Sequence, residues 1–233
     1  MRLTVKQLTG RDDSALLAMV GEHRLLPEVA SAFAALQSEA SVAGFDLRIT
    51  SSYRSYDRQL AIFNGKASGQ RPIHDDQGQL IDIAVLSPRE KLESILRYSA
   101  LPGASRHHWG TDLDVYDAAA VPADYRVQLT PQEVAPGGVF DAFHCWLDER
   151  IAARQSHGFF RPYGEDRGGV APERWHLSYA PIASTCDTAL TVDLLRQCWD
   201  CEAELALRDV IEGDLEAIFK RFVAVVPGWC PLP

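Results

Sequence analysis

The sequence predicts an α+β fold: a small antiparallel sheet that carries the chemically informative residues, flanked by helices and followed by a helical C-terminal extension. Three observations lead there. Val29, Phe33, Leu36 and Ala40 recur at helical spacing. Residues 46–51, 112–116 and 175–179 alternate in polarity as half-buried strands do. From Thr191 the apolar pattern turns helical and stays so to Val226, with a break near Gly213.

The first helix spans residues 27–43, because Pro27 suits a first helical turn and Gly44 follows as a stop. Leu47 and Ile49 then share one face of a strand. Ser55 caps a helix running through Asn64, with Asp57 in its first turn, where the helix dipole favours an anion. Residues 65–86 are rich in Gly and Asp and read as a long surface loop, a common binding element, with Asp75 and Asp76 solvated. Ser87-Pro88-Arg89-Glu90 is a capping box that opens a helix to about Ser99. Residues 140–157 read as a helix closed by Gly158, and Phe159, Phe160, Trp199 and Trp229 as core.

Composition narrows the function. The chain has 233 residues, 46% hydrophobic and 24% charged, which excludes a mostly disordered protein and predicts one domain with an appended subdomain. A net charge of −9 excludes a bulk electrostatic grip on nucleic acid, which needs clustered Lys and Arg. No stretch approaches the ~18–20 apolar residues of a membrane span. Arg11, Asp12 and Asp13 interrupt any secretory apolar stretch, so the expected location is the cytoplasm. There the five cysteines are expected as reduced, buried thiols. Cys198 and Cys201 form a lone CxxC with no histidine downstream, which is too little for a structural zinc site.

Three segments carry chemistry. The first is Ser105-Arg106-His107-His108-Trp109-Gly110-Thr111-Asp112-Leu113-Asp114. A His and an Asp seven apart cannot share a metal on one straight strand. They can if His107 sits in a loop and the chain turns at Gly110 into a strand whose one face carries Asp112, Asp114 and Tyr116. Imidazole nitrogen and carboxylate oxygen suit a borderline ion such as zinc, but a third ligand is needed. Asp112 reads equally as a partner of the ligands or as an edge-strand carboxylate.

The second segment runs from Pro172 to Tyr179. Trp175, Leu177 and Tyr179 are expected to face the core, with His176 and Ser178 facing the site. Strict alternation puts Glu173 opposite His176, so the strand must start after Glu173 or bulge there, and Pro172 favours a late start. Given that convergence, His107, Asp114 and His176 ligate one zinc ion, a water takes the open position, and Glu173 removes its proton. In the third segment, Ser51 to Gln59, Arg54 can grip a carboxylate or a developing oxyanion, and Gln59 can add an amide donor. His108, His144 and His157 read as packed or surface histidines.

Together the segments resemble the VanY-like D-alanyl-D-alanine carboxypeptidases, of the zinc peptidase group that also holds lysostaphin-type enzymes and the hedgehog domain. The resemblance rests on Ser105, His107, Gly110 and Asp114, on Glu173, Trp175 and His176, and on Tyr53, Arg54, Ser55 and Gln59, and it covers roughly residues 27–182. It implies a zinc peptidase domain over 1–184 with a helical extension over 185–233. It implies that His107, Asp114 and His176 bind zinc and that Glu173 is the general base. It further implies that Arg54, Gln59 and Ser105 hold the substrate's C-terminal residue or stabilise the tetrahedral intermediate. Asp112 departs from the family, which commonly has Ala there.

The expected function is a zinc carboxypeptidase that removes the C-terminal D-Ala from peptidoglycan stem peptides. In the cytoplasm this predicts an L,D-carboxypeptidase acting on recycled tetrapeptides, with D,D-cleavage next. The alternatives are a zinc endopeptidase of the same fold or a non-catalytic zinc-dependent binding module. Glu173 beside an intact ligand set disfavours the module. An endopeptidase has no free substrate carboxylate to hold, so Arg54 with Gln59 favours the exopeptidase.

Overall fold

The structure, a computed structural model, describes residues 2–200 and 204–225. Cys201, Trp229, Cys230 and the expected helix end at Val226 lie outside them. The chain opens with a short helix, α1 (Val5–Leu8), and a hairpin of β1 (Ala18–Val20) and β2 (His23–Leu25). It continues through α2 (Pro27–Val42), β3 (Leu47–Ser51), α3 (Tyr56–Ala67), α4 (Pro88–Leu96), β4 (Asp112–Asp117), α5 (Pro131–Val134), α6 (Asp141–Ala152), β5 (Phe159–Phe160) and β6 (His176–Tyr179). Four further helices follow: α7 (Ala180–Ala189), α8 (Val192–Trp199), α9 (Arg208–Gly213) and α10 (Leu215–Ile218), the last running into a π-helical turn at Phe219–Val223.

The expected helix starts are present with their reasons. The Ser55 side chain accepts from the Arg58 amide, and Ser87 and Glu90 form both halves of a capping box. On α2 the buried residues are Val29, Phe33, Leu36 and Ala40, the stripe read from spacing. They share one core with Leu113, Val115 and Leu177 of the sheet. Leu195, Trp199, Ile211, Leu215 and Ile218 of the C-terminal helices join that same core, each contributing roughly 1.5–3 kcal/mol by burial.

The larger sheet has strand order β3-β4-β6-β5, with every neighbouring pair antiparallel. Its register does the work of assembly. Leu113 lies across from Leu177, and the alternation turns both to the core. One residue along, Asp114 lies across from His176, and Asp112 from Ser178, all on the other face. Strand β4 is interior, between β3 and β6, so Asp112 is not an edge carboxylate.

Several expectations need correction. The strand expected over 175–179 starts at His176, because the His176 amide donates to the Glu173 carbonyl at 3.1 Å and closes a turn ahead of it. Trp175 therefore leaves the core face and packs with Val134 and Phe140 in a small separate cluster. The helix expected to His157 stops at Ala152, since Arg154 (φ 59°) and His157 (φ 52°) adopt left-handed backbone. The run expected from Thr191 breaks at Gly213 as expected, and is cut once more, between α8 and α9. Cys145 is exposed rather than buried, while Cys186 is buried. Asp76 is not merely solvated: Arg97 bonds it at 2.6 and 2.9 Å and also grips Asp166, tying two loops together.

Candidate active site

His107 and Asp114 converge because the chain reverses between them. Residues Arg106–Trp109 form a 3₁₀ turn, and Gly110 (φ 68°, ψ 17°) turns the chain into β4. A Cβ at Gly110 would stand 2.2 Å from a Leu16 methyl, so glycine is required by contact as well as by conformation. The cross-strand pairing then brings His176 opposite Asp114. His107 Nε2 lies 3.3 Å from Asp114 Oδ2, and His176 Nδ1 lies 3.2 Å from Asp114 Oδ1. One ligand atom from each of the three residues falls within 4.8 Å of the others.

The unused ring nitrogens are already held. His107 Nδ1 donates to the Ser52 carbonyl at 2.9 Å, and His176 Nε2 bonds Asp112 Oδ1 at 2.9 Å. Each bond orients a ring so that its other nitrogen faces the common point, as outer partners of metal ligands do. Asp114 Oδ1 is buried and, apart from the 3.2 Å approach of His176 Nδ1, has no polar partner among the described residues. A buried carboxylate oxygen so placed fits a cation. The donor set of two imidazoles and one carboxylate suits a divalent metal with an open position.

Charge in the site is strongly shaped by its neighbours. Burial alone would raise the Asp114 carboxyl, but His107 and His176 hold it well below the usual carboxylate range. Burial would lower His176, but its contacts with Asp112 and Asp114 push it up to about 10, so this corner favours positive charge. Asp112 belongs to a buried ion network: Arg106 donates to it from Nε at 2.9 Å, from Nη2 to Ser178 Oγ at 2.8 Å, and from Nη1 to the Asp187 carboxylate. Of the two readings of Asp112, the structure bears out the partner of a ligand.

Glu173 approaches the same point from the turn before β6, with Oε2 3.5 Å from His176 Nδ1. Burial raises its pKa to about 7, into the range of a general base near neutrality. These groups border a cavity of about 440 Å³, with Arg54, Lys66, Tyr98, Ser105 and Tyr163 also in its wall. Phe222, from the C-terminal extension, lines it too.

A family model for the D-alanyl-D-alanine carboxypeptidase VanY matches residues 22–182. The chain belongs to this family. With the ligand triad and the carboxyl beside it both intact, this member of the VanY family is a metal-dependent hydrolase. It is similar to two uncharacterized proteins of Haemophilus influenzae (strain ATCC 51907 / DSM 11121 / KW20 / Rd). One is 39% identical over 105 residues, 43% of this chain and 72% of the relative. The other is 33% identical over 126 residues, 53% and 92% respectively. Among solved structures, the LdcB LD-carboxypeptidase is 24% identical with a TM-score of 0.49, over 75% of this chain and 69% of that one. A mutant of the vancomycin-resistance D,D-pentapeptidase VanY, in complex with Zn(II), is 22% identical with a TM-score of 0.48, over 72% and 79%.

Of the seven candidate site residues read from the sequence (His107, Asp114, His176, Glu173, Arg54, Ser105 and Gln59), all but one border this cavity. Gln59 is fully buried and does not border the cavity. Its Oε1 accepts from Arg54 at 2.8 Å and its Nε2 donates to the Ala100 carbonyl at 2.7 Å, so both ends of the amide are engaged in holding Arg54 to the chain. His108 is packed, as expected, and also braces this arginine: Nδ1 donates to the Arg54 carbonyl at 2.6 Å and Nε2 accepts from the Gly103 amide at 3.1 Å. Sequence reasoning missed Tyr163 and Lys66. Tyr163 carries no local signal. Lys66 carries one: it lies seven residues after Gln59, on the same face of α3.

Proposed function

We propose that this chain is a zinc carboxypeptidase that removes the C-terminal D-Ala from peptidoglycan stem peptides. The observation that carries the reading is that Glu173 and the ligand triad share one cavity with Arg54, a cation with no carboxylate partner among the described residues. Zinc suits the two imidazoles and one carboxylate, and when bound it supplies a Lewis acid and an acidified water. Glu173 takes a proton from the attacking water and returns one to the leaving amine. Arg54, held by Gln59 and Ser51, receives the substrate's terminal carboxylate, and Ser105 borders the same residue.

We further infer a cytoplasmic setting, in keeping with Cys145, Cys186 and Cys198 forming no disulfide among the described residues. In that setting an enzyme that trimmed wall precursors ending in D-Ala-D-Ala would deprive the cell of its cross-linking donor. Removing the single D-Ala of a recycled tetrapeptide would return a reusable tripeptide, so the preferred reaction is L,D-cleavage. The test is kcat/KM on tetrapeptide and pentapeptide with one zinc-loaded preparation, with and without chelator, alongside cell fractionation. Faster tetrapeptide cleavage, abolished by chelator, is expected. A clear pentapeptide preference would overturn the L,D assignment, and turnover insensitive to chelator would overturn the metal mechanism.

A further inference from the structure

Lys66 is the second cation in the cavity wall, and nothing in the mechanism above uses it. Its place follows from α3. Gln59 and Lys66 lie on one helix face, about 10 Å apart along the axis at 1.5 Å per residue. Helical side chains lean toward the N-terminus, which carries the Lys66 ammonium back toward Gln59. The bonds record this. Lys66 Nζ donates to Ser99 Oγ at 2.6 Å, while Gln59 Nε2 donates to the carbonyl of the next residue, Ala100. Gln59 in turn holds Arg54. Ammonium and guanidinium are thereby fixed to one wall through two adjacent residues.

Neither cation has a carboxylate within ion-pair distance among the described residues. Arg54 bonds the neutral acceptors Gln59 and Ser51, and Lys66 bonds Ser99. The charged groups around Lys66 are Glu173, Arg54 and Arg71, and burial brings its pKa down to about 8, so the ammonium form prevails at neutral pH. Two partly buried cations facing one cavity repel each other, and the carboxylates that offset them, Glu173 for both and Asp114 for Arg54, stand beyond ion-pair distance. An anion between them relieves that repulsion.

We propose that Lys66 and Arg54 together form the cradle for the substrate's C-terminal carboxylate, so that Lys66 supplies the second donor and sets the preference for a free peptide end. This rests on the exopeptidase reading. It moves the second donor from Gln59, whose amide is engaged inside the fold, to a residue two helical turns further on.

The experiment compares the zinc-loaded wild type with Lys66→Met, Lys66→Gln and Lys66→Arg on one tetrapeptide ending in D-Ala, supplied as the free acid and as the C-terminal amide. Metal content and melting temperature establish that each variant is folded and loaded, and Lys66→Gln stands in if Lys66→Met does not fold. The wild type should favour the acid. Losing one charge-assisted contact should raise KM for the acid by about 10- to 100-fold in Lys66→Met or Lys66→Gln. Turnover of the amide and kcat on the acid should change less than about threefold, and Lys66→Arg should recover most of the acid preference. An acid-to-amide ratio unchanged from wild type, or equal losses on both substrates, would overturn the role of Lys66 while leaving the exopeptidase standing. Equal cleavage of acid and amide by the wild type would instead overturn the exopeptidase reading itself.

Discussion

Two arginines border the same cavity, and the protein treats them oppositely. Arg106 is fully buried and is answered inside the fold, by Asp112, Asp187 and the Ser178 hydroxyl. Its charge is passed through Asp112 to the ring of His176. Arg54 is held just as firmly, but only by neutral oxygens of Gln59 and Ser51. Lys66 beside it has, among the described residues, only the Ser99 hydroxyl as hydrogen-bond partner. The first region closes its electrostatics and so fixes a geometry. The second leaves two positive charges without an ion pair among the described residues and so can receive an anion. Partner chemistry, more than burial, separates a structural cation from a binding one.

The largest expected effect lies where the two regions meet. Glu173 is not among the three ligands, so Glu173→Ala should keep the metal and lose turnover by roughly 10²–10⁴-fold. His107→Ala should lose both. Metal analysis and kcat on the same preparations read this directly. A Glu173→Ala variant with near-normal turnover would mean that another group handles the proton.

Stability measurements separate the two arginines. Arg106→Met takes the arginine partner from the buried Asp112 and the partly buried Asp187 and should destabilise the fold by about 3 kcal/mol. Arg54→Met strands no carboxylate. It removes the hydrogen bonds to Gln59 and Ser51 but breaks no ion pair among the described residues, so the loss should be about 1 kcal/mol while KM for the free-acid peptide rises. Urea unfolding of both variants checks the contrast, and equal destabilisation would erase it.

How legible this was depends on sequence distance. The turn at Gly110, the face shared by Asp112 and Asp114, and the late start of β6 were readable because each depends on a few neighbouring residues. The destination of Trp175 was not, since it depends on Val134 and Phe140, some 40 positions upstream. Asp112 could not be decided locally either. Its meaning depends on Arg106, and Arg106 on Asp187, 81 positions on. Gln59 shows the limit most sharply: the motif predicted an amide near Arg54, and there is one, but only the Ala100 carbonyl reveals that the amide faces inward. The helix over 140–157 was overextended because its last residues are polar and helix-compatible, while the left-handed turns at Arg154 and His157 that end it leave no mark in composition.

The smallest effect concerns Lys66, and its sign follows from linkage. Burial lowers the folded-state pKa to about 8, below the ordinary lysine value of 10.5. Between those values the unfolded chain binds more protons than the folded one, so this group makes stability rise with pH. Its cost is fully present below pH 8 and vanishes above the unfolded pKa. Discounted for the part of the side chain that still meets solvent, the gain between pH 7.5 and 9.5 should be about 1 kcal/mol. Lys66→Met should lack that rise and should be at least as stable as wild type at pH 7. Urea midpoints of the two proteins across this range, taken as a difference so that other titrating groups cancel, read the effect. Parallel curves would mean that the Lys66 charge is already answered in the free protein, and the contrast with Arg106 would then rest on Arg54 alone.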